Sequence, residues 1–213
     1  MKKTKVLVVY TENFKQLFDN FKTSLRNQPD LEIVERLVSF KDAYTEFKFK
    51  SESWYEAVQT QVFEALEFIK NEVEEGEYFI ISDVDIHFFQ PEKITQLVEA
   101  AKGKDLIAVK EERDSSINSG FIIAKRTKAV IDMYEHVYSQ LQIRRSNLGD
   151  QDEINHYIVE ANMDIGYIHR DFAGMGKRYS VKKSWIFFHA INTRTLSDKL
   201  NMISRMQQQY NKL

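Results

Sequence analysis

The sequence predicts an α/β fold in which a mostly parallel central sheet is flanked by helices. Short apolar runs rich in β-branched residues, beginning with residues 5–10, alternate with segments whose apolar residues recur at helical spacing. Such runs are typical of strands buried on both faces of a parallel sheet, and their alternation with helices is typical of α/β domains. A chain of 213 residues, 43% of them hydrophobic, suits one domain with a sizeable core.

The N-terminal half is predicted to contain three strands and two helices. After the first strand, Thr11 is placed to cap a helix that reaches about residue 27. Residues 31–38 form the second strand. Ser53-Trp54-Tyr55-Glu56 has the pattern of a capping box, which opens a long amphipathic helix. Residues 78–81 form the third strand, which ends abruptly in the polar run Ser82-Asp83-Val84-Asp85.

The C-terminal half continues this alternation. Pro91 opens a helical segment, because proline is tolerated in the first turn of a helix. The elements expected after it are strands at 106–109 and 120–124, helices at 127–142 and 151–160, and short strands at 165–168 and 185–188. Residues from about 195 to 213 are polar and rich in Gln, which predicts a terminal helix or the start of a linker. No repeat or flexible linker divides the chain, so residues 1–213 are expected to form a single domain.

Charge and composition exclude several functions. The 30 Lys and Arg residues nearly balance the 32 Asp and Glu residues, so the chain lacks the basic excess that a nucleic-acid surface normally needs. The absence of cysteine excludes disulfides and thiolate metal sites. The apolar run near the N-terminus is too short for a signal sequence or a membrane span, so a soluble cytoplasmic protein is expected. The sequence does not indicate an oligomeric state.

Asp83 and Asp85 are the first candidates for chemistry. Side chains alternate along an extended segment, so the two carboxylates lie on the same side and can bind one divalent cation. A cation there would stabilise the negative charge of a departing pyrophosphate group. Two carboxylates after a strand can equally be solvated turn residues. The strand context favours a site, because open α/β sheets bind ligands beyond the carboxyl ends of their strands.

Three further motifs carry polar residues, and each has a structural alternative. Asn118-Ser119-Gly120-Phe121 is predicted to be a turn that feeds a strand, either beside a ligand or simply capped by its Asn. Asp150-Gln151-Asp152 opens a helix, where Asp150 is either the N-cap or a residue that faces a ligand. Gly174-Met175-Gly176-Lys177-Arg178 is either a loop that covers a diphosphate or an ordinary surface turn.

These motifs, in this order, resemble the GT-A glycosyltransferases, the superfamily that includes glycogenin and bacterial lipopolysaccharide galactosyltransferases. The resemblance covers most of the chain and is completed by His189 in Phe187-Phe188-His189-Ala190. On its own, a single histidine after an apolar run is more often a structural residue. The resemblance implies that Asp83, Asp85 and His189 bind a metal ion. Imidazole is a softer ligand than carboxylate, which favours Mn2+ over Mg2+.

The resemblance also implies contacts with a nucleotide-sugar donor, for which UDP is the expected nucleotide. The residues expected at the nucleotide, the diphosphate or the metal are Tyr10, Thr11, Lys50, Trp54, Asp83, Val84, Asp85, Gly176 and Lys177. The residues expected beside the transferred sugar are Asn118, Ser119 and Gly120, and those expected at the reaction centre are Asp150, Gln151 and Asp152. Core packing is the alternative for Tyr10, whose ring would otherwise stack on uracil.

The expected function is therefore Mn2+-dependent transfer of a sugar from a nucleotide diphosphate to a hydroxyl group of a glycan or glycoprotein. A sugar nucleotidyltransferase is a rival, but such enzymes usually carry a glycine-rich basic loop, which Thr11-Glu12-Asn13-Phe14 lacks. A non-catalytic carbohydrate-binding domain is the other rival, and the intact Asp83, Asp85 and His189 argue against it. Similarity to glycosyltransferase domains of large algal viruses implies a capsid-protein acceptor and a location in the host cytoplasm.

Overall fold

The computed structural model describes residues 2–26, 28–39, 51–111, 116–143, 149–176, 180–191, 193 and 195–213. The strands within these ranges are β1 (Thr4–Thr11), β2 (Leu31–Val38), β3 (Tyr78–Ser82), β4 (Ile86–Phe88), β5 (Leu106–Lys110), β6 (Ile117–Lys125), β7 (Ile165–Ile168), β8 (Ala173–Met175) and β9 (Phe187–His189). The α-helices are α1 (Lys15–Leu25), α2 (Glu52–Asn71), α3 (Ile94–Ala100), α4 (Lys128–Ile143), α5 (Asp150–Glu160) and α6 (Leu196–Tyr210). Short 3-10 turns at Glu12–Phe14 and Pro91–Lys93 precede α1 and α3.

The larger of two sheets has six strands in the order β2-β1-β3-β6-β5-β7. β1 pairs in parallel with β2 and β3, and β5 pairs in parallel with β7. β6 runs antiparallel to both of its neighbours. Five of the six strands therefore point in one direction, which confirms the predicted α/β fold with a mostly parallel sheet. The second sheet has three strands in the order β4-β9-β8, and residues 83–85 connect it to β3.

Buried side chains cover both faces of the larger sheet. Alternate residues of β1 belong to different clusters, as the two-residue period of a strand requires. Leu7 packs in the cluster that contains α2, α4 and α5, whereas Val6 and Val8 pack in the cluster that contains α1 and α3. This burial on both faces explains why β1 appears in the sequence as a continuous apolar run.

The polar residues from about 195 onward form α6, one of the two structures that the sequence allowed. The Thr195 side chain accepts a hydrogen bond from the Asp198 N–H, at 3.1 Å, and so caps the helix. One face of α6 is buried in a third apolar cluster, in which Met202, Ile203 and Met206 pack with Trp185 and Phe188. None of the helices in the described ranges is both long and apolar enough to cross a membrane.

The start of α2 differs from the prediction. Ser51, rather than Ser53, is the N-cap, and its side-chain oxygen accepts a hydrogen bond from the Trp54 N–H, at 3.2 Å. Ser53 already lies in the first turn and is buried. The capping box predicted at Ser53 is therefore wrong by two residues. Thr11 precedes a 3-10 turn and makes no side-chain capping hydrogen bond, so the cap predicted there is also wrong.

β6 begins earlier than predicted, at Ile117. An irregularity in β5 between Ala108 and Val109 shifts the register, so that Val109 pairs with Asn118 and Lys110 pairs with Ile117. Residues 118–120 are therefore part of a strand rather than a turn that leads into one. The three-residue strands β4 and β8 were not predicted, because they are too short to show a period of two.

Candidate active site

Asp83 and Asp85 lie in the segment that connects β3 to β4. β1 and β3 are parallel neighbours, so their carboxyl ends lie at the same edge of the sheet. The Asp83 N–H donates to the carbonyl of Gly120 on β6, at 2.7 Å, which fixes the segment against the next strand. Asp83 is partly exposed and Asp85 is buried. The pair thus occupies the edge at which open α/β sheets bind ligands.

The antiparallel pairing of β4 with β9 brings His189 to the two aspartates. The register places Ile86 opposite His189. The His189 Nε2 lies 3.0 Å from the Asp85 Oδ1 and 3.2 Å from the Asp83 Oδ2, and one potential ligand atom from each residue lies within 4.8 Å of the other two. Two carboxylates and an imidazole at this separation fit a divalent cation such as Mn2+.

The charges of these residues depend on one another. Burial alone would lower the pKa of His189, but the negative charge of Asp85 and hydrogen bonds to Asp83 and Asp85 outweigh burial and raise it to about 9. Burial alone would raise the pKa of Asp85, but His189 and Lys199 hold it well below its usual range. A protonated His189 therefore neutralises part of the carboxylate charge, and metal binding would release that proton.

Two residues that the sequence analysis missed contact the aspartates. The Gln61 Nε2, on α2, donates to the Asp83 Oδ1 at 2.8 Å. The Lys199 Nζ, on α6, forms an ion pair with the Asp85 Oδ2 and donates to the Ala190 carbonyl at 3.1 Å. Both residues occupy polar positions of amphipathic helices, where exposure to solvent is the ordinary expectation. No pattern in the sequence distinguishes them from surface residues.

Gly120 is the point at which the β6 backbone comes closest to the aspartates and the histidine. A Cβ atom at this position would lie 2.1 Å from the His189 Cε1 and 2.7 Å from the Asp83 Oδ2. Both distances are shorter than real Cβ contacts, so a side chain here would displace His189 or Asp83. Close backbone approach was the reason to single out Gly120 in the sequence. The groups that approach it in the structure are protein side chains.

Asn118 and Gln151 connect β6 to the start of α5. The Asn118 Nδ2 donates to the Gln151 Oε1 at 2.8 Å, and the Ser119 N–H donates to the same oxygen at 3.2 Å. The Asn118 Oδ1 lies 3.2 Å from the His189 Nδ1. Asn118 is only 6% exposed. Its amide group is thus engaged inside the protein, and the contact with the donor sugar expected from the sequence stays a prediction.

α5 begins at Asp150, and its N-cap is Gly149. The alternative in which Asp150 caps the helix is therefore wrong. The Asp152 Oδ2 accepts a hydrogen bond from the Gly149 N–H at 3.3 Å, so Asp152 stabilises the helix end. Burial, and then the charge of Asp83, raises the pKa of Asp150 to about 6. Asp150 therefore ionises close to neutral pH, where a carboxyl group is suited to proton transfer.

An open cavity of about 240 Å³ adjoins the aspartates, between the end of β1 and α2. Thr11 lines this cavity, and its buried hydroxyl has no hydrogen-bond partner among the described residues. Tyr10 also lines the cavity, but its ring is stacked on Phe18, with the ring centroids 4.3 Å apart, and its hydroxyl donates to Glu35. Tyr10 thus packs in the core as the alternative to stacking on uracil requires, and its contact with a nucleotide stays a prediction.

Of the remaining sequence-predicted residues within the described ranges, two line this cavity. Trp54 and Val84 line it, and Trp54 also packs against Gly149, where a Cβ atom would lie 2.7 Å from the Trp54 Cη2. Gly176 has a φ of +64°, in the left-handed region, and its N–H donates to the His189 carbonyl at 3.1 Å. Lys50 and Lys177 lie outside the described residues.

The strand order and the Asp-x-Asp segment at the carboxyl edge of the sheet define this domain as a GT-A fold of the glycosyltransferase type. Residues 18–203 match the family described as nucleotide-diphospho-sugar transferase. The chain therefore belongs to the nucleotide-diphospho-sugar transferase family. Among curated proteins, no sequence matches it.

Solved structures share this fold. A glycosyltransferase involved in glycosylation of the major capsid of PBCV-1 aligns with a TM-score of 0.66 and 12% identity, over 96% of this chain and 99% of that one. The galactosyltransferase LgtC, in complex with donor and acceptor sugar analogues, aligns with a TM-score of 0.59 and 11% identity, over 99% and 96%. GlyE of Streptococcus pneumoniae aligns with a TM-score of 0.58 and 12% identity over 81% of this chain, which spans only 46% of that protein. Identities this low establish the fold alone.

Proposed function

We propose that this chain transfers a sugar from a UDP-linked donor to a hydroxyl group of a glycan or glycoprotein, with Mn2+ bound by Asp83, Asp85 and His189. The observation that carries the proposal is the approach of these three side chains at the carboxyl edge of a GT-A sheet. The imidazole in the set favours Mn2+ over Mg2+. The bound metal would stabilise the negative charge of the departing diphosphate.

The cavity beside the aspartates is the proposed donor site. A buried hydroxyl without a protein partner usually binds water or a ligand, and Thr11, whose hydroxyl is of this kind, is one of the residues that line this cavity. A polar group of the nucleotide base or ribose is the partner that we propose for it. Trp54 supplies an apolar wall. The Lys199 ammonium group beside Asp85 places a positive charge where a diphosphate would be bound.

Asp150 and Gln151 are the residues that we propose to act at the transferred sugar. Both lie in the first turn of α5, where the backbone N–H groups favour negative charge. Asn118 and Ser119 engage the Gln151 Oε1, so the Gln151 Nε2 is the atom that donates to a sugar hydroxyl. Once ionised, Asp150 accepts a hydrogen bond from a hydroxyl group of the sugar or the acceptor. Asp152 supports the helix end and so acts indirectly.

A donor-hydrolysis screen tests this function. Purified protein is incubated with a panel of UDP-, GDP- and CMP-linked sugars in Mn2+, in Mg2+ and in chelator, and release of free nucleotide is measured. We expect release from UDP-linked sugars with Mn2+ and at most background release with chelator. The Asp85→Asn variant is the matched negative control. Equal release with Mn2+ and chelator would contradict the metal-dependent proposal.

This screen, together with an assay of pyrophosphate formation, separates the rival functions. A sugar nucleotidyltransferase would form pyrophosphate from UTP and a sugar 1-phosphate, which a glycosyltransferase does not. A non-catalytic carbohydrate-binding domain would give no turnover with any donor. The proposed acceptor is a glycan or glycoprotein, and capsid protein is tested as one of the acceptors. A cytoplasmic location belongs to the same proposal.

A further inference from the structure

The Asn118 amide group makes four contacts inside the protein. Its Oδ1 accepts a hydrogen bond from the Gly120 N–H at 3.1 Å and lies 3.2 Å from the His189 Nδ1. Its Nδ2 donates to the Gln151 Oε1 at 2.8 Å and to the Glu111 Oε1 at 3.2 Å. An asparagine side chain has two donor hydrogens and an oxygen that accepts two hydrogen bonds. These contacts therefore use the whole capacity of the amide.

Backbone N–H groups fix the orientation of both amides in this network. A backbone N–H can only donate, so the Asn118 atom that faces the Gly120 N–H must be the oxygen. The Gln151 atom that faces the Ser119 N–H must be an oxygen for the same reason. The Asn118 Nδ2 then points at the Gln151 Oε1, which is the favourable arrangement. Neither amide can be rotated by 180° without placing two donors against each other.

In the neutral form of His189 that would bind a metal, the fixed oxygen determines which ring nitrogen keeps the hydrogen. The Asn118 Oδ1 is an acceptor, so the His189 Nδ1 must donate to it. The opposite nitrogen, Nε2, is the one that lies between Asp83 and Asp85. We propose that Asn118 is a positioning residue that holds the hydrogen of His189 on Nδ1 and directs Nε2 to the metal. This inference rests on the proposed metal-dependent function. The role differs from the contact with the donor sugar that was expected for Asn118.

The network extends away from the metal ligands to an ion pair. The Arg170 Nη2 lies 2.9 Å from the Glu111 Oε2, and the other oxygen of Glu111 accepts from Asn118. Partners of this kind behind a histidine ligand set its ring orientation and increase its basicity. Removal of such a partner typically weakens metal binding by about 10- to 100-fold.

Asn155 provides a matched control. It is also an amide that ties α5 to β6: its Oδ1 accepts from the Ile117 N–H at 2.8 Å, and its Nδ2 donates to the carbonyls of Ile117 and Gln151. Its described hydrogen bonds go to the backbone of Ile117 and Gln151, not to His189. Asn155→Leu therefore removes a comparable link between α5 and β6 but leaves the Asn118 to His189 contact in place.

Mn2+ titration calorimetry on the folded fraction of each variant tests the role in metal binding. We expect Asn118→Leu to weaken Mn2+ binding by about 10- to 100-fold and Asn155→Leu to leave it within about threefold of the wild type. Asn118→Asp keeps an acceptor for the His189 Nδ1, so its affinity should lie closer to the wild type than that of Asn118→Leu. Wild-type affinity in Asn118→Leu, or equal losses in both Leu variants, would overturn the proposal.

A metal-free measurement separates this inference from the proposed function. In protein labelled with 15N-histidine, we expect a His189 Nδ1–H signal protected from solvent exchange in the wild type and in Asn155→Leu, and unprotected in Asn118→Leu. That result supports the positioning role even if the wild type binds no Mn2+, an outcome that would refute the proposed function alone. A protected Nδ1–H in Asn118→Leu would overturn the positioning role, whatever the metal affinity.

Discussion

Replacement of Gly120 by alanine is the most direct perturbation of the candidate metal site that replaces none of the proposed ligand residues. The added Cβ would lie 2.1 Å from the His189 Cε1 and 2.7 Å from the Asp83 Oδ2. The backbone of Gly120 cannot easily withdraw, because its carbonyl accepts from the Asp83 N–H and its N–H donates to Asn118. The two ligand side chains must therefore move apart.

The magnitude of the effect follows from overpacking of a buried site. One extra carbon in a well-packed region typically costs about 1–3 kcal/mol of unfolding free energy. For a chain of this size that corresponds to a fall in Tm of roughly 2–12 °C. Displacement of two of the three proposed ligands should weaken Mn2+ binding by at least about tenfold, comparable with the loss of a supporting partner.

Gly103→Ala is the control for this experiment. Gly103 has a φ of +82°, and a Cβ there would have no atom within 4 Å. An alanine in this left-handed conformation costs about 1–2 kcal/mol of stability without any contact with the metal ligands. Both variants should therefore lose stability in thermal unfolding, but only Gly120→Ala should lose Mn2+ affinity in calorimetry. Gly120→Ala with wild-type Mn2+ affinity and turnover would refute the reasoning.

Asp85→Asn should lower donor turnover by at least about a hundredfold at saturating Mn2+, with an unchanged circular dichroism spectrum; near-native turnover would remove Asp85 from the proposed metal site. Lys199→Met should strengthen Mn2+ binding a few-fold without donor, because the competing cation at Asp85 is gone. It should also weaken UDP binding with Mn2+ present, and calorimetry that finds both affinities unchanged would show that Lys199 only supports α6. In chelator, the unfolding free energy should fall by at most about 3 kcal/mol as the pH rises from about 4 to 6. The reason is that Asp150 has a pKa of about 6 in the native protein and so keeps its proton to a higher pH than it does in the unfolded chain. Urea unfolding of Asp150→Asn should lack this fall, and an identical pH profile would contradict the raised pKa.

The central strands β1, β3 and β5 could be predicted from the sequence because they are largely buried on both faces. The edge strands β2 and β7 are partly exposed, and they were predicted at residues 31–38 and 165–168, with the bounds that they have in the structure. The ends of helices were harder to place. Gly149, the N-cap of α5, has no side chain that could make a capping hydrogen bond, so the sequence does not mark it as a cap. Asp150 next to it belongs to the residue types that commonly cap helices.

The sequence likewise predicts some residues of the candidate site and not others. Asp83 and Asp85 could be located because they follow a buried strand directly. Gln61 and Lys199 could not, because a polar residue on an amphipathic helix has the same sequence pattern whether it faces water or a carboxylate. Their roles depend on how α2 and α6 pack on the sheets, which is a property of the folded chain.

His189 shows most clearly what a pattern in the sequence leaves undetermined. The apolar run before it predicts a strand, and a single histidine at the end of a strand has many possible neighbours. Its position beside the aspartates follows from the antiparallel register of β4 and β9, in which Ile86 lies opposite His189. A shift of one residue would turn the imidazole to the other face of the small sheet. The three-residue strand β4, which the sequence analysis missed, is therefore the element that aligns the histidine with the two carboxylates.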